Sequence, residues 1–238
     1  MKTKLLLLYT SILLTLSSCH TETEDFISKY CPGSCTVIKG RLTTDDRSKP
    51  LGGVMLEVRY EEFSMFSSFK RRKAVATTDA NGNFELRFLM RDDEIGNADG
   101  SFGEMNVYAH LDTSKYLTCS GSQRLLAYYR LKRDTTLAVN YNIPRKAFVQ
   151  VQALNTAAMQ TGDNLTTDFI VDAGAADDPS TCVPGIFWHR NVTAQTFAIA
   201  ANQQVTIRTY KRKSGVETVT SETVTLTPGQ TINYQVTF

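Results

Sequence analysis

Apolar and polar positions alternate along most of the 238-residue chain. A period of two puts one face of a segment in a core and the other in water, so the pattern predicts β-strands. Residues 36–42 read as a first strand, and a polar turn over 43–49 closes at Pro50. Val54, Leu56, Val58 and Tyr60 then alternate with Met55, Glu57, Arg59 and Glu61. A third strand is expected over 73–78, and Asn81-Gly82 supplies a hairpin turn with positive φ. It leads into Phe84, Leu86 and Phe88, which alternate with Glu85 and Arg87. Met105, Val107, Ala109 and Leu111 form another inward set, which leaves His110 on the polar face. Past Pro144 the pattern restarts with Ala147, Val149, Val151 and Ala153 against Gln150 and Gln152. A loop holding Gly162, Gly174, Asp177, Asp178 and Pro179 is expected next, then strands over 186–188, 197–200 and 205–211. Ser214-Gly215 reads as a hairpin turn, with final strands over 216–226 and 232–238. Short strands at this spacing predict an all-β protein of two consecutive antiparallel β-sandwich domains, over 35–142 and 143–238. One larger sandwich is the alternative, because the linker at Pro144 is brief and neither Gly-rich nor Ser-rich.

The N-terminal segment breaks the pattern. Lys2 and Lys4 precede a mostly aliphatic run over 5–16, and the small residues Ser17 and Ser18 follow it. The run falls short of the about 20 apolar residues that span a bilayer. The stretch LSSC, ending at Cys19, resembles the lipobox of bacterial lipoproteins. That resemblance implies a signal peptide over 1–18 and diacylation of Cys19 through its sulfur, which makes it the first residue of the mature chain. Two or three acyl chains on one residue make a lasting membrane anchor. An ordinary secretory leader is the alternative. His20, Thr21, Glu22, Thr23, Glu24 and Asp25 resemble the acidic export signal of surface lipoproteins in the Bacteroides group, and suit a solvated tether over 19–34 equally well. The expected location is the outer membrane, with the chain lipid-anchored and exposed at the cell surface.

Lys and Arg number 26 and Asp and Glu 24, so loss of Lys2 and Lys4 with the leader brings the mature chain to balance. A neutral chain has no electrostatic footprint for nucleic acid. With Cys19 lipidated, Cys31, Cys35, Cys119 and Cys182 are left, an even number in an oxidising compartment, and two disulfides are expected. The sequence does not choose among the three pairings.

The order of Gly40, Pro50, Leu51, Gly53, Val54, Leu56, Thr78, Asp79, Gly82 and Phe84 resembles the carboxypeptidase regulatory-like domain, with Leu42 where Val is commoner. The resemblance covers about residues 35–140. It implies a transthyretin-like sandwich. The second half resembles no family.

Peptidase chemistry finds no support in the residues. The histidines are His20, His110 and His189, none in an H-x-x-E or HExxH frame, and GxSxG and phosphate-loop patterns are absent. The Y-R-G-S tail of transthyretin-like hydrolases is replaced by 234–238, YQVTF. Asp79, Asn81, Asn83 and Glu85 space oxygens as a calcium loop does, but a turn at Asn81-Gly82 explains them. Cys31 and Cys35 have no close His or second pair to complete a zinc site. No catalytic residue, metal or cofactor is expected.

Two places read as binding surfaces. Phe63, Met65, Phe66 and Phe69 run into Lys70, Arg71, Arg72 and Lys73, either as an exposed patch or as a lid over the core. The only tryptophan, Trp188, lies in Phe187-Trp188-His189-Arg190 and could stack on a sugar or a peptide. Asp134-Thr135-Thr136 resembles a Bacteroides-group O-glycosylation acceptor. The expected function is a non-catalytic binding or assembly module with a protein or glycan partner. A hydrolase built around His189, Asp177 and Asp178, and a structural spacer, are the alternatives.

Overall fold

The computed structural model describes residues 20–25, 35–63, 67–95, 103–118, 123–176 and 184–238. Its strands, in chain order, are β1 (His20–Asp25), β2 (Thr36–Thr44), β3 (Lys49–Pro50), β4 (Met55–Phe63), β5 (Ser67–Thr77), β6 (Asn83–Phe88), β7 (Gly103–His110), β8 (Arg124–Tyr129) and β9 (Thr136–Asn142). They continue as β10 (Lys146–Leu154), β11 (Asn164–Ile170), β12 (Gly174–Ala175), β13 (Gly185–Phe187), β14 (Ala194–Ala200), β15 (Gln204–Lys213), β16 (Val216–Thr225) and β17 (Thr231–Thr237). The all-β expectation holds, and no helix among the described residues is long and apolar enough to cross a membrane.

Four sheets form. Sheet I runs β1-β5-β4-β7-β8; sheet II runs β12-β9-β2-β3, with β6 also on β2. Sheet III is β14-β10-β17 and sheet IV is β13-β11-β15-β16. Period-two burial builds two cores from them. Ile38, Leu56, Val58, Phe84, Leu86, Phe88, Val107 and Tyr141 fill the first, from strands of sheets I and II. Val149, Val151, Leu165, Phe169, Phe197, Ile199, Val205, Ile207 and Trp188 fill the second, between sheets III and IV. At the Asn81-Gly82 turn, Gly82 has φ +78°, and a Cβ there would stand 2.3 Å from the Leu42 carbonyl oxygen, so only glycine fits.

Three features depart from the sequence expectations. The acidic segment expected as tether contributes β1, which pairs parallel with β5 from His20 opposite Ser67 to Asp25 opposite Arg72. Residues expected in a loop after Gly162 form β11, a central strand of sheet IV. The third expected strand begins at Ser67, well before residue 73.

Charged groups tie the two cores' surroundings together. Arg47 makes a paired contact with Asp172 at 2.9 and 2.7 Å, and Arg145 does the same with Asp45 at 3.0 and 2.6 Å. Asn142 and Gln203 both donate to the Asp172 carbonyl, and β12 pairs with β9. Burial alone would raise the Asp45 carboxyl, but hydrogen bonds from Arg145, Lys49 and Asn202 hold it below its ordinary value. Glu57 follows the same logic, with burial opposed by Arg59 and His110, and ends lowered too. In the acid range the unfolded chain therefore binds these protons more readily than the folded one. Their stabilisation is complete above the unfolded carboxylate range and disappears as pH falls through the folded values. Charged hydrogen bonds of this kind are worth about 1.5–3 kcal/mol each. Urea unfolding followed from pH 7 down to pH 3 should show a falling midpoint that begins below about pH 5. A midpoint independent of pH would contradict these ion pairs.

Candidate functional site

Local alternation at β13 decides which aromatic ring meets solvent. Trp188 turns inward and is 1 % exposed; its ring N–H donates to the Thr167 hydroxyl at 2.9 Å, and its backbone N–H to the Leu165 carbonyl. It is therefore a core residue, which corrects the expectation of a recognition tryptophan. A buried indole with its donor satisfied by Thr167 has no face left for a sugar. Its neighbour Phe187 points the other way and is 62 % exposed.

Phe187 lies in a groove of about 460 Å³ across the outer face of sheet IV. Register explains how the lining comes together. Thr166 pairs with both Phe187 and Tyr210, and Tyr210 with Val219, so Phe187, Thr166, Tyr210 and Val219 form one row across four strands. A polar row runs on either side. Gly185, Asp168, Arg208 and Ser221 make one, and Asn164, Arg212 and Glu217 the other. Arg208 donates to Asp168 at 3.3 Å and its guanidinium sits 4.8 Å over the Tyr210 ring. Arg212 reaches Glu217 at 3.8 Å. Gly185 leaves room for the Asp168 carboxylate, which a Cβ there would approach to 2.5 Å. The charges are thus arranged as neighbouring opposite pairs beside an apolar strip. Such a surface offers donors and acceptors in fixed positions beside a contact strip, with Lys211 as a further cation of the lining.

The other expected surface is divided. Phe63 is 53 % exposed. Phe69 packs against the first core with the Arg71 guanidinium 4.6 Å over its ring, as the lid reading has it. Phe66 lies outside the described residues, as do Cys19, Cys31, Cys119, Cys182, Asp177 and Asp178. Cys35 is half-buried at the start of β2 and hydrogen-bonds Arg87. His189 is exposed, beyond β13.

Two charged clusters escaped the sequence reading. On the outer face of sheet I, Glu57, Glu61 and Glu104 are buried although they occupy solvent-side positions of β4 and β7. Arg59 makes two contacts with Glu57, Tyr108 donates to Glu61 at 2.7 Å, and Asn106 bridges Glu61 and Glu104. Burial and the Glu61 carboxylate push the Tyr108 hydroxyl well above its ordinary value. His110 Nε2 lies 3.2 Å from Glu57, on the open outer face of sheet I. The second cluster joins Lys73 and Glu94, both fully buried. Lys73 Nζ donates to both Glu94 oxygens at 2.8 Å, and Arg71 donates to one of them at 2.8 Å. Both clusters are internally hydrogen-bonded. Among the described residues, no group of three or more His, Cys, Asp and Glu could hold a metal ion.

No family model matches the chain, and no curated protein does. Among solved structures, the shaft pilin SpaA from Lactobacillus rhamnosus GG is similar at 10 % identity and a TM-score of 0.29, covering 85 % of this chain and 96 % of that one. BcpA, the major pilin subunit of Bacillus cereus, is similar at 10 % identity and a TM-score of 0.28, covering 82 % and 69 %. Catechol 1,2-dioxygenase from Acinetobacter gives 11 % identity and a TM-score of 0.26 over 51 % and 48 %. Likeness this remote carries neither assembly nor catalysis over to this chain.

Proposed function

We propose that the chain is a lipid-anchored lipoprotein of the outer membrane, displayed at the cell surface, whose β-sandwiches act as a non-catalytic binding module. The groove on sheet IV is its site, and its ligand is an extended, largely uncharged chain, a glycan or a protein segment. The observation that carries this reading is the row of Phe187, Tyr210 and Val219 laid between two rows of paired charges. Aromatic rings supply contact area at little conformational cost, and the flanking pairs supply orientation. The anchor rests on LSSC and the aliphatic run before it. The first sandwich is read as a carboxypeptidase regulatory-like, transthyretin-like domain over 35–142, and the second as a unit over 143–238 that lends Ala175 of β12 to the first core.

One cell-based experiment separates anchor from site. Fluorescent oligosaccharides and a peptide library are offered to intact cells carrying the natural chain, Phe187→Ala or Cys19→Ser. Phe187→Ala should leave the protein on the membrane and weaken capture about tenfold or more, since loss of a central aromatic contact exceeds about 1.4 kcal/mol. Cys19→Ser should abolish capture by releasing the protein from the cell. Undiminished capture by Phe187→Ala would remove the groove from the account, and a cell-bound Cys19→Ser product would remove the anchor.

A further inference from the structure

The outer edge of sheet IV is β16, ten residues of sequence VETVTSETVT. It is the longest edge strand among the described residues, about 34 Å at the usual rise per residue. It pairs with β15 without a register break, from Gln204 opposite Thr225 to Lys213 opposite Val216, and no described strand lies on its other side. Proteins ordinarily protect such an edge with charged residues, Pro, a bulge or a covering loop. β16 has no Lys or Pro and no bulge, its charges are Glu217 and Glu222, and its side chains are exposed along its length except at Val224, with Val216 and Val219 open to solvent. High β-propensity along an unbroken ladder makes it a template for another strand.

We infer that β16 pairs antiparallel with β16 of a second copy of this chain, joining two copies of sheet IV into one eight-stranded sheet. The sequence of β16 is complementary to its own copy. A two-fold axis normal to the sheet keeps every side chain on its own face, so each allowed register sets one residue opposite its own copy. With Thr220 at that centre, Val216 meets Val224, both Glu217 and Glu222 meet threonines (Thr223 and Thr218), and Val219 meets Ser221. Val216 and Val224 oppose each other, carboxylates oppose hydroxyls, and no like charges face each other. Centring on Glu217 or Glu222 would set carboxylate against carboxylate. The same pairing runs the Phe187-Thr166-Tyr210-Val219 row of one copy into the Ser221-Arg208-Asp168 row of the other, so the two grooves become one surface.

Thr220→Cys in the full chain, oxidised mildly in intact cells and resolved without reductant, tests the register. A dimer band is expected that the natural chain and Ser221→Cys lack, because Ser221 faces Val219 and not itself. Equal bands from both variants, crosslinks only to other proteins, or no new band would overturn the inference. Charge gives the independent check. Thr220→Lys and Thr220→Glu should each lose self-association in detergent-solubilised form, and an equimolar mixture of the two should recover it. Dimers that survive both single variants, or a mixture that stays monomeric, would contradict the pairing.

Discussion

Glu94→Ala should lower stability by about 3–5 kcal/mol, because it strips a fully buried ammonium of the carboxylate that compensates it. Lys73 lies in a β-bulge, since β4 and β5 pair Val58 with Ala74 and Arg59 with Arg72, and the bulge aims it at Glu94. Desolvation is the largest influence on this lysine and lowers its proton affinity, while Glu94 raises it back in part. Glu94 also accepts from Arg71 and from the Arg91 backbone N–H at 2.9 Å, so the substitution removes the shared acceptor of three donors. For a chain of this size the loss is roughly 10 °C in melting temperature, readable by calorimetry. Lys73→Met combined with Glu94→Leu should lose less than either single change, since a buried pair replaced by apolar groups is close to neutral. Additive losses would mean the two residues do not stabilise each other.

The second large effect contrasts two adjacent residues. Trp188→Ala should destabilise by about 3–5 kcal/mol, from lost burial, the cavity left in the second core and the loss of the Thr167 hydroxyl's donor. Phe187→Ala should change stability by less than about 0.5 kcal/mol, because its ring is mostly in water. The same denaturant series measures both. If Phe187→Ala were the damaging change and Trp188→Ala the silent one, inside and outside would be exchanged and the groove would lose its aromatic strip.

The sequence disclosed most of the strands and missed the features that build the site, for physical reasons. Where polar and apolar residues alternate strictly, as in β4, β6 and β10, the buried set is the one the pattern names: Leu56, Val58 and Tyr60; Phe84, Leu86 and Phe88; Ala147, Val149, Val151 and Ala153. β11 was hidden because its inward set is Leu165, Thr167 and Phe169, and a central threonine reads as polar until the Trp188 N–H reaches it. The alternation was present in the strand, and reading Thr as a β-branched core residue would have found it. Ile186, Phe187 and Trp188 are all apolar, so periodicity cannot tell which ring faces out. Sheet register settles it.

The charged clusters were illegible for another reason. Glu57 and Glu61 do lie on the solvent side that their alternation predicts. They are nonetheless buried by long side chains from the adjacent strands and from their own, Tyr108 and Arg59 among them. The Lys73 to Glu94 contact bridges 21 residues of sequence with no local signal at either end. Long-range pairing of this sort is fixed by topology. β1 was obscured in the same way: three acids in six residues read as a solvated tether, yet the register sets Glu24 and Asp25 opposite Arg71 and Arg72 of β5.

The central claim is that sheet IV turns its tryptophan inward and its phenylalanine outward, and so lays an aromatic strip along its outer face. Because Trp188 is the only tryptophan of the 238 residues, fluorescence of the intact chain reads that orientation without any ligand. The account predicts blue-shifted emission that acrylamide quenches only weakly, becoming red-shifted and readily quenched on unfolding. Emission of the native chain already at the position of indole in water, with quenching unchanged by denaturant, would contradict it.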